Sequence, residues 1–135
     1  MRNKPRYKVF LMLALFFFVS CESNPYGKGM KIYNDQCAVC HNEDGNGLQG
    51  LIPPIRQADY LLNHQDDLAC IIRHGLDTTI TVNNVVYDMQ QMPANDNLDE
   101  IAITNLINFI NNAWGNKGKF VTTEKVKQDL EKCKK

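Results

Sequence analysis

The chain has 135 residues, with 15 basic and 15 acidic side chains and a formal charge of zero, which suits one folded domain. The zero hides segregation: residues 21–116 carry 4 basic and 12 acidic residues, whereas 117–135 carry 7 and 3. An acidic body with a basic tail excludes a nucleic-acid binder, which needs basic residues spread over its folded face.

The first eight residues, "MRNKPRYK", hold four basic residues and no acidic one. "VFLMLALFFFVS" follows, uncharged and almost wholly apolar, and then comes Cys21. A basic segment before a short apolar run predicts a secretory signal over residues 1–20. The run is shorter than the roughly 20 residues a membrane-spanning helix needs. It also lacks the polar face of an amphipathic core helix. "FVSC" resembles a bacterial lipobox, with Phe18 where leucine is usual, and the resemblance implies that Cys21 is lipidated and becomes the first mature residue. The other reading is an ordinary signal cleaved nearby, with Cys21 left as a free thiol. More than one acyl chain gives stable anchoring, where one gives marginal binding. Without Arg2, Lys4, Arg6 and Lys8 the balance is 11 basic against 15 acidic residues, or −4. Residues 21–25 then read as a lipidated N-terminus and short linker, 26–116 as the domain, and 117–135 as a basic helical extension.

"NPYGKGMKIYNDQCAVCH" reads as an entry turn followed by one helix, with Ile32, Tyr33, Gln36, Cys37 and Cys40 at helical spacing. "HNEDGNGLQGLIPPIRQADYLL" reads as loop, for it holds three glycines and two prolines. "NHQDDLACIIRHGL" predicts a helix begun at Asn63 or Gln65, with Leu68, Ile71 and Ile72 on its apolar face and Gly75 at its end. "TTITVNNVVYDMQQMPA" is β-rich and turns at Asn83-Asn84, as a small hairpin or an extended loop. "NLDEIAITNLINFINNAW" is the strongest helix: Asn97 is its expected N-cap, Asp99 and Glu100 fill its first turn, and Gly115 closes it. Ile103, Leu106, Ile107 and Ile110 form its apolar stripe. "TTEKVKQDLEKCKK" predicts an amphipathic helix capped by Thr122 or Thr123.

Chemistry concentrates in "QCAVCHNEDGNG". A zinc ribbon needs a second ligand pair, and Cys70 with His74, four apart on one helix, is the best available. That site leaves His41 without a role. A thioredoxin-like CxxC needs a βαβ context, and no long strand precedes this one. C-x-x-C-H is the c-type haem attachment pattern: two thiols on one helical turn reach the two vinyl groups of a porphyrin edge, and the next imidazole faces the iron. Cys37 and Cys40 are therefore the expected thioether residues and His41 the proximal ligand of one covalent haem c. Attachment outside the cytoplasm agrees with the signal.

At this point the chain resembles the class I c-type cytochromes, small bacterial monohaem domains, over about residues 26–115. Gly29 and Tyr33 precede Cys37 by eight and four residues, as a glycine and an aromatic do in that family. "CHNEDGNGLQGLIPPI" is similar to the family's "CHGxDGxGxxGxxPPL". Leu106 and Phe109 match the leucine and aromatic of its C-terminal helix, and "WGN" is common after it. "GLDTTITVNNVVYDMQQMPA" is close to "GLxGxITVxGxxYxxxMP", with Asp77 and Asn84 in place of frequent glycines. The resemblance implies a mostly α fold of four or five short helices around one haem, with a hairpin before the methionine ligand.

The Met-Pro of that pattern falls on Met92-Pro93, so Met92 is the expected sixth ligand, with Met89 the runner-up and core packing the plain alternative for any methionine. A thioether favours Fe(II), so His/Met ligation raises the potential. The resemblance places the acceptor for the proximal histidine's second N–H on Pro53, with Pro54 next. Tyr60, Tyr87 and Trp114 either line the crevice, where they could bond a propionate, or pack in the core. His64 and His74 read as surface histidines. Cys70 and Cys133 remain as an even pair that either forms a disulfide or stays as two thiols.

The implied function is one-electron transfer by a monomeric, lipid-tethered protein on the periplasmic side of a bacterial membrane. No bond-making on a substrate is expected. Partners are redox proteins met through small, weak interfaces; the acidic body suits a partner with a basic patch. The alternatives are a dedicated cytochrome subunit of a periplasmic dehydrogenase or reductase, a five-coordinate haem sensor or peroxidase, and the zinc module.

Overall fold

A computed structural model describes residues 24–133; the signal segment and Cys21 lie outside them. Six α-helices and one two-stranded antiparallel sheet occur among the described residues, a mostly helical fold consistent with cytochrome c. Helix α1 spans Gly27–Gln36 and crosses the longest of the described helices, α5, Glu100–Asn112. The crossing depends on Gly29. A Cβ there would lie 2.0 Å from the Asn105 carbonyl oxygen and 2.6 Å from Phe109 Cβ, so any side chain would push the helices apart.

The single helix expected through His41 is interrupted at Cys37, and a four-residue helix α2, Ala38–His41, follows. The next segment folds back on α2. Gly47 N–H donates to the His41 carbonyl (2.9 Å), the Asn42 amide donates to the Gly47 carbonyl (2.6 Å), and Leu48 and Ile52 pair across a turn. The stretch read as loop also contains a short helix, α3, Asp59–Asn63. Five residues are too few to show an apolar period, which is why composition alone favoured a loop.

Helix α4 spans Leu68–His74 and starts later than Asn63 or Gln65. Gln65 is a connector instead: its amide donates to the Leu61 carbonyl (2.8 Å) and to Asn111 Oδ1 (3.1 Å). Strands β1, Ile80–Val82, and β2, Val85–Tyr87, pair with Ile80 opposite Tyr87 and Val82 opposite Val85. Asn83 and Asn84 have φ of 50° and 65°. A two-residue hairpin turn of this kind needs positive φ at both positions, and asparagine tolerates it. The tip is docked, since Asn83 N–H donates to the Asp59 carboxylate (2.7 Å) and Asp59 N–H to Asn83 Oδ1 (3.1 Å).

The N-cap of α5 is Asp99, whose carboxylate accepts from Ala102 N–H at 2.7 Å. Asn97 lies two residues too early, because Leu98 between them is buried and fixes the entry of the chain. Ile103, Leu106, Ile107 and Ile110 are all buried, as their spacing predicts. A short 3₁₀ turn, Ala113–Gly115, follows α5.

The C-terminal extension shares the domain's core. Buried Asn108 donates to the Val121 carbonyl (2.9 Å) and accepts from Val121 N–H (2.8 Å). Buried Asn111 donates to the Lys119 carbonyl (2.7 Å). Helix α6, Thr123–Lys132, is capped by Thr122 and buries Val126. Lys125 bridges Asp66 (2.8 Å) and Asp129 (2.6 Å). Cys133, at the end of α6, is joined to Cys70 of α4 by a disulfide with Cα atoms 5.6 Å apart.

Candidate cofactor site

Helices α2, α4 and α5, the prolines after α2 and the hairpin enclose a cleft of about 450 Å³. Leu68, Ile72, Leu106 and Ile110 give it an apolar interior, and Cys37, Cys40, His41 and Met92 all line it. None of its lining residues among those described is Asp, Glu, Lys or Arg. An apolar cleft with a few convergent polar atoms suits a flat, largely hydrophobic cofactor.

His41 Nδ1 lies 3.1 Å from the Pro53 carbonyl. A carbonyl only accepts, so Nδ1 carries the hydrogen and Nε2 keeps its lone pair for a metal. Burial lowers the His41 pKa, opposed by the bond to Pro53, and so favours the neutral ring that a metal ligand must be. Burial, and then the neighbouring Cys40, push the Cys37 thiol up to about 11. Cys40 is exposed, and both thiols are free. Beneath them, the buried Tyr33 hydroxyl donates to the Asn42 carbonyl at 2.6 Å. Burial first, then Cys37 and Asp44, raise its pKa well above the usual phenol range.

Met92 is fastened by its backbone. Its N–H donates to the Leu76 carbonyl and its carbonyl accepts from Leu76 N–H, both at 3.0 Å. Asn95 continues the anchorage, with its N–H between the Ile72 and Arg73 carbonyls at 3.2 Å from each. Met89 is 77% exposed and does not line the cleft. The pairing of Leu76 with Met92 escaped the sequence reading, because an isolated two-residue bridge has no periodic signal.

The remaining candidates separate cleanly. Tyr60 and Tyr87 line the cleft; Trp114 does not, and packs on Tyr33 (ring centroids 4.9 Å apart) and Phe109 (5.3 Å). His64 is half-buried rather than on the surface, stacked on Tyr60 at 3.8 Å with Nδ1 2.8 Å from the Tyr60 carbonyl, whereas His74 is exposed. The zinc set of Cys37, Cys40, Cys70 and His74 does not assemble, since Cys70 is bonded to Cys133. Among the described residues no three His, Cys, Asp or Glu side chains converge as metal ligands. Two thiols and a neutral imidazole at one end of an apolar cleft do fit a covalently attached haem.

The family model for cytochrome c matches residues 26–114. Cytochrome c-552 of Thermus thermophilus is 32% identical over 109 residues, covering 74% of this chain and 82% of that protein. The cytochrome c subunit of the quinone alcohol dehydrogenase of Gluconacetobacter polyoxogenes is 30% identical over 91 residues, 66% of this chain. Its counterpart in Gluconobacter oxydans (strain 621H) is 27% identical over 90 residues. The chain spans only 19% and 18% of the length of those two subunits. With the fold, the cleft and these matches together, the chain belongs to the cytochrome c family as a class I c-type cytochrome, an electron-transfer protein with a covalent c-type haem.

Proposed function

We propose that Cys37 and Cys40 hold the haem through thioethers, that His41 and Met92 are its axial ligands, and that the protein is an exported, lipid-tethered one-electron carrier. Cys37 and Cys40 would hold the group by their sulfurs, an attachment in which each thiol's hydrogen would pass to the vinyl group it joins and no oxidant would be needed. The bound haem supplies an Fe(III)/Fe(II) couple. Pro53 keeps the His41 hydrogen on Nδ1, so Nε2 is the donating atom. Leu68, Ile72, Leu106 and Ile110 exclude water from the cleft.

The observation that carries the reading is that His41 and Met92 line one cleft, each with its position fixed by a backbone carbonyl or amide. Met92→Ala is expected to abolish the far-red thioether-to-iron band and to let the reduced protein bind carbon monoxide. Met89→Ala is expected to change neither; the reverse pattern overturns the assignment. Mass spectrometry of the mature N-terminus tests the anchor, with Cys21 lipidated on its sulfur and amino group the expected result and an unmodified Cys21 the contrary one.

The electron partners are redox proteins. A basic docking patch on the partner follows from the acidic body, and electron transfer to it slows as salt rises. A second reading, a dedicated subunit for a periplasmic dehydrogenase, draws on the relatives named as subunits of a quinone alcohol dehydrogenase. Crosslinking in cells distinguishes the two: a freely diffusing carrier gives several adducts, and a subunit gives one stable complex.

A further inference from the structure

The geometry points to Trp114 and Asn116, just beyond α5, as positioning residues that hold the Pro53 carbonyl against His41 and so tune the proximal ligand. The inference rests on His41 being that ligand. Asn116 is 6% exposed and uses its whole amide. Its Nδ2 donates to the Ile110 carbonyl (2.6 Å) and the Ile55 carbonyl (3.2 Å), and its Oδ1 accepts from Gln57 N–H (2.6 Å). One side chain thus ties the end of α5 to both ends of the segment from Ile55 to Gln57.

Trp114 acts on the other side of the same segment. It has φ 51° and ψ 25°, a left-handed conformation costly for so bulky a residue. That backbone turns its ring onto Gly45, where a Cβ would come within 2.8 Å of the indole. The Gly45 carbonyl in turn accepts from Ile55 N–H (2.8 Å) and Arg56 N–H (2.9 Å). Ile55 is therefore gripped from α5 and from the Gly45 turn at once. Pro53 and Pro54 precede it, and their rings lock φ at both, so few free torsions separate Ile55 from the Pro53 carbonyl two residues away and holding Ile55 restrains that carbonyl. That carbonyl receives the His41 Nδ1–H. A good acceptor there raises the basicity of the ligating nitrogen, which favours Fe(III) and lowers the potential.

The test compares holoprotein carrying Asn116→Ala, Trp114→Ala, Trp114→Phe and, as control, Asn108→Ala. Asn108 ties α5 to Val121, away from this segment. The readouts are the midpoint potential and the NMR signal and solvent exchange of the His41 Nδ1–H in the reduced state. Asn116→Ala and Trp114→Ala are expected to raise the potential and to speed that exchange about tenfold, as loss of a hydrogen bond of ordinary strength implies. Trp114→Phe restores most of both by keeping a ring on Gly45. Asn108→Ala lowers thermal stability and moves neither. If the tryptophan and asparagine variants keep wild-type potential and exchange, or the control moves them as far, the positioning role is wrong. Should Asn116→Ala fail to fold, the two Trp114 variants decide. A wild-type spectrum in which His41 shows no iron-bound imidazole overturns the ligation reading instead, so the two failures are distinguishable.

Discussion

Helix α5 has two working faces, and they are held by different chemistry. On one, Leu106 and Ile110 line the cleft, close to residues brought in by a glycine crossing, a proline pair and single backbone bridges. On the other, Asn108 and Asn111 bond the backbone of the C-terminal extension, which α6 and the Cys70–Cys133 disulfide then secure. The first face falls within the family match at 26–114; the extension lies beyond it. The contrast teaches that the cleft is set by close backbone approaches that admit few residue types. The back is held by side-chain bonds and a covalent link, whose loss is expected to cost stability and to leave the cleft intact.

Breaking the covalent link is the harshest test of that separation. Cys133→Ala opens a closed loop of 63 residues. On the chain-entropy view this lowers stability by roughly 4 kcal/mol, read as a drop in the denaturant midpoint. The midpoint potential is expected to stay at the wild-type value; a shift would show that the two faces are coupled. Gly29→Ala attacks the crossing that supports the cleft face. With a Cβ 2.0 Å from the Asn105 carbonyl oxygen, it is expected to cost about 3 kcal/mol. It also moves α1, so the visible spectrum should change along with the stability.

Asn108→Ala comes next at about 2 kcal/mol, since it leaves the Val121 N–H and carbonyl unpaired. The spectrum is expected to be unchanged. The smallest effect belongs to Asp66→Asn, because this carboxylate and its side of the Lys125 ammonium are solvent-exposed, while Lys125 keeps its bond to buried Asp129. The sign is testable even so. The side-chain bond to Lys125, then its charge, hold the Asp66 carboxyl below its usual range. A carboxylate with a depressed folded pKa stabilises above its ordinary pKa and loses that contribution as pH falls through the folded one. The difference in midpoint between Asp66→Asn and wild type should therefore shrink in acid, and shrink in high salt at neutral pH.

The cleft face was the more legible in sequence, and the reason is physical. Gly29, Tyr33, the Cys37-to-His41 motif and Met92-Pro93 are residue types with few substitutes at a close crossing or a proposed ligand position. The apolar stripe of α5 showed through its period for the same kind of reason. What escaped were contacts whose residue types are common. Asn108 and Asn111 lie three apart beside the stripe, and that spacing is the signal that could have marked a buried polar seam. Asp99 and Asn97 are both good caps, and only the burial of Leu98 between them decides for Asp99. Asp59–Asn63 is too short to show a period, and the Leu76–Met92 bridge joins residues no local pattern relates.

The bridge at Met92 bears on speed as well as place. Electron exchange is quick when few atoms must shift as the charge arrives. With Met92 as ligand, an arm with two backbone hydrogen bonds to Leu76, and Asn95 bonded behind it, would keep its resting place as the electron comes. An environment set in advance would need little reorganisation at the moment of transfer. In this chain two residues of antiparallel pairing would keep the barrier low.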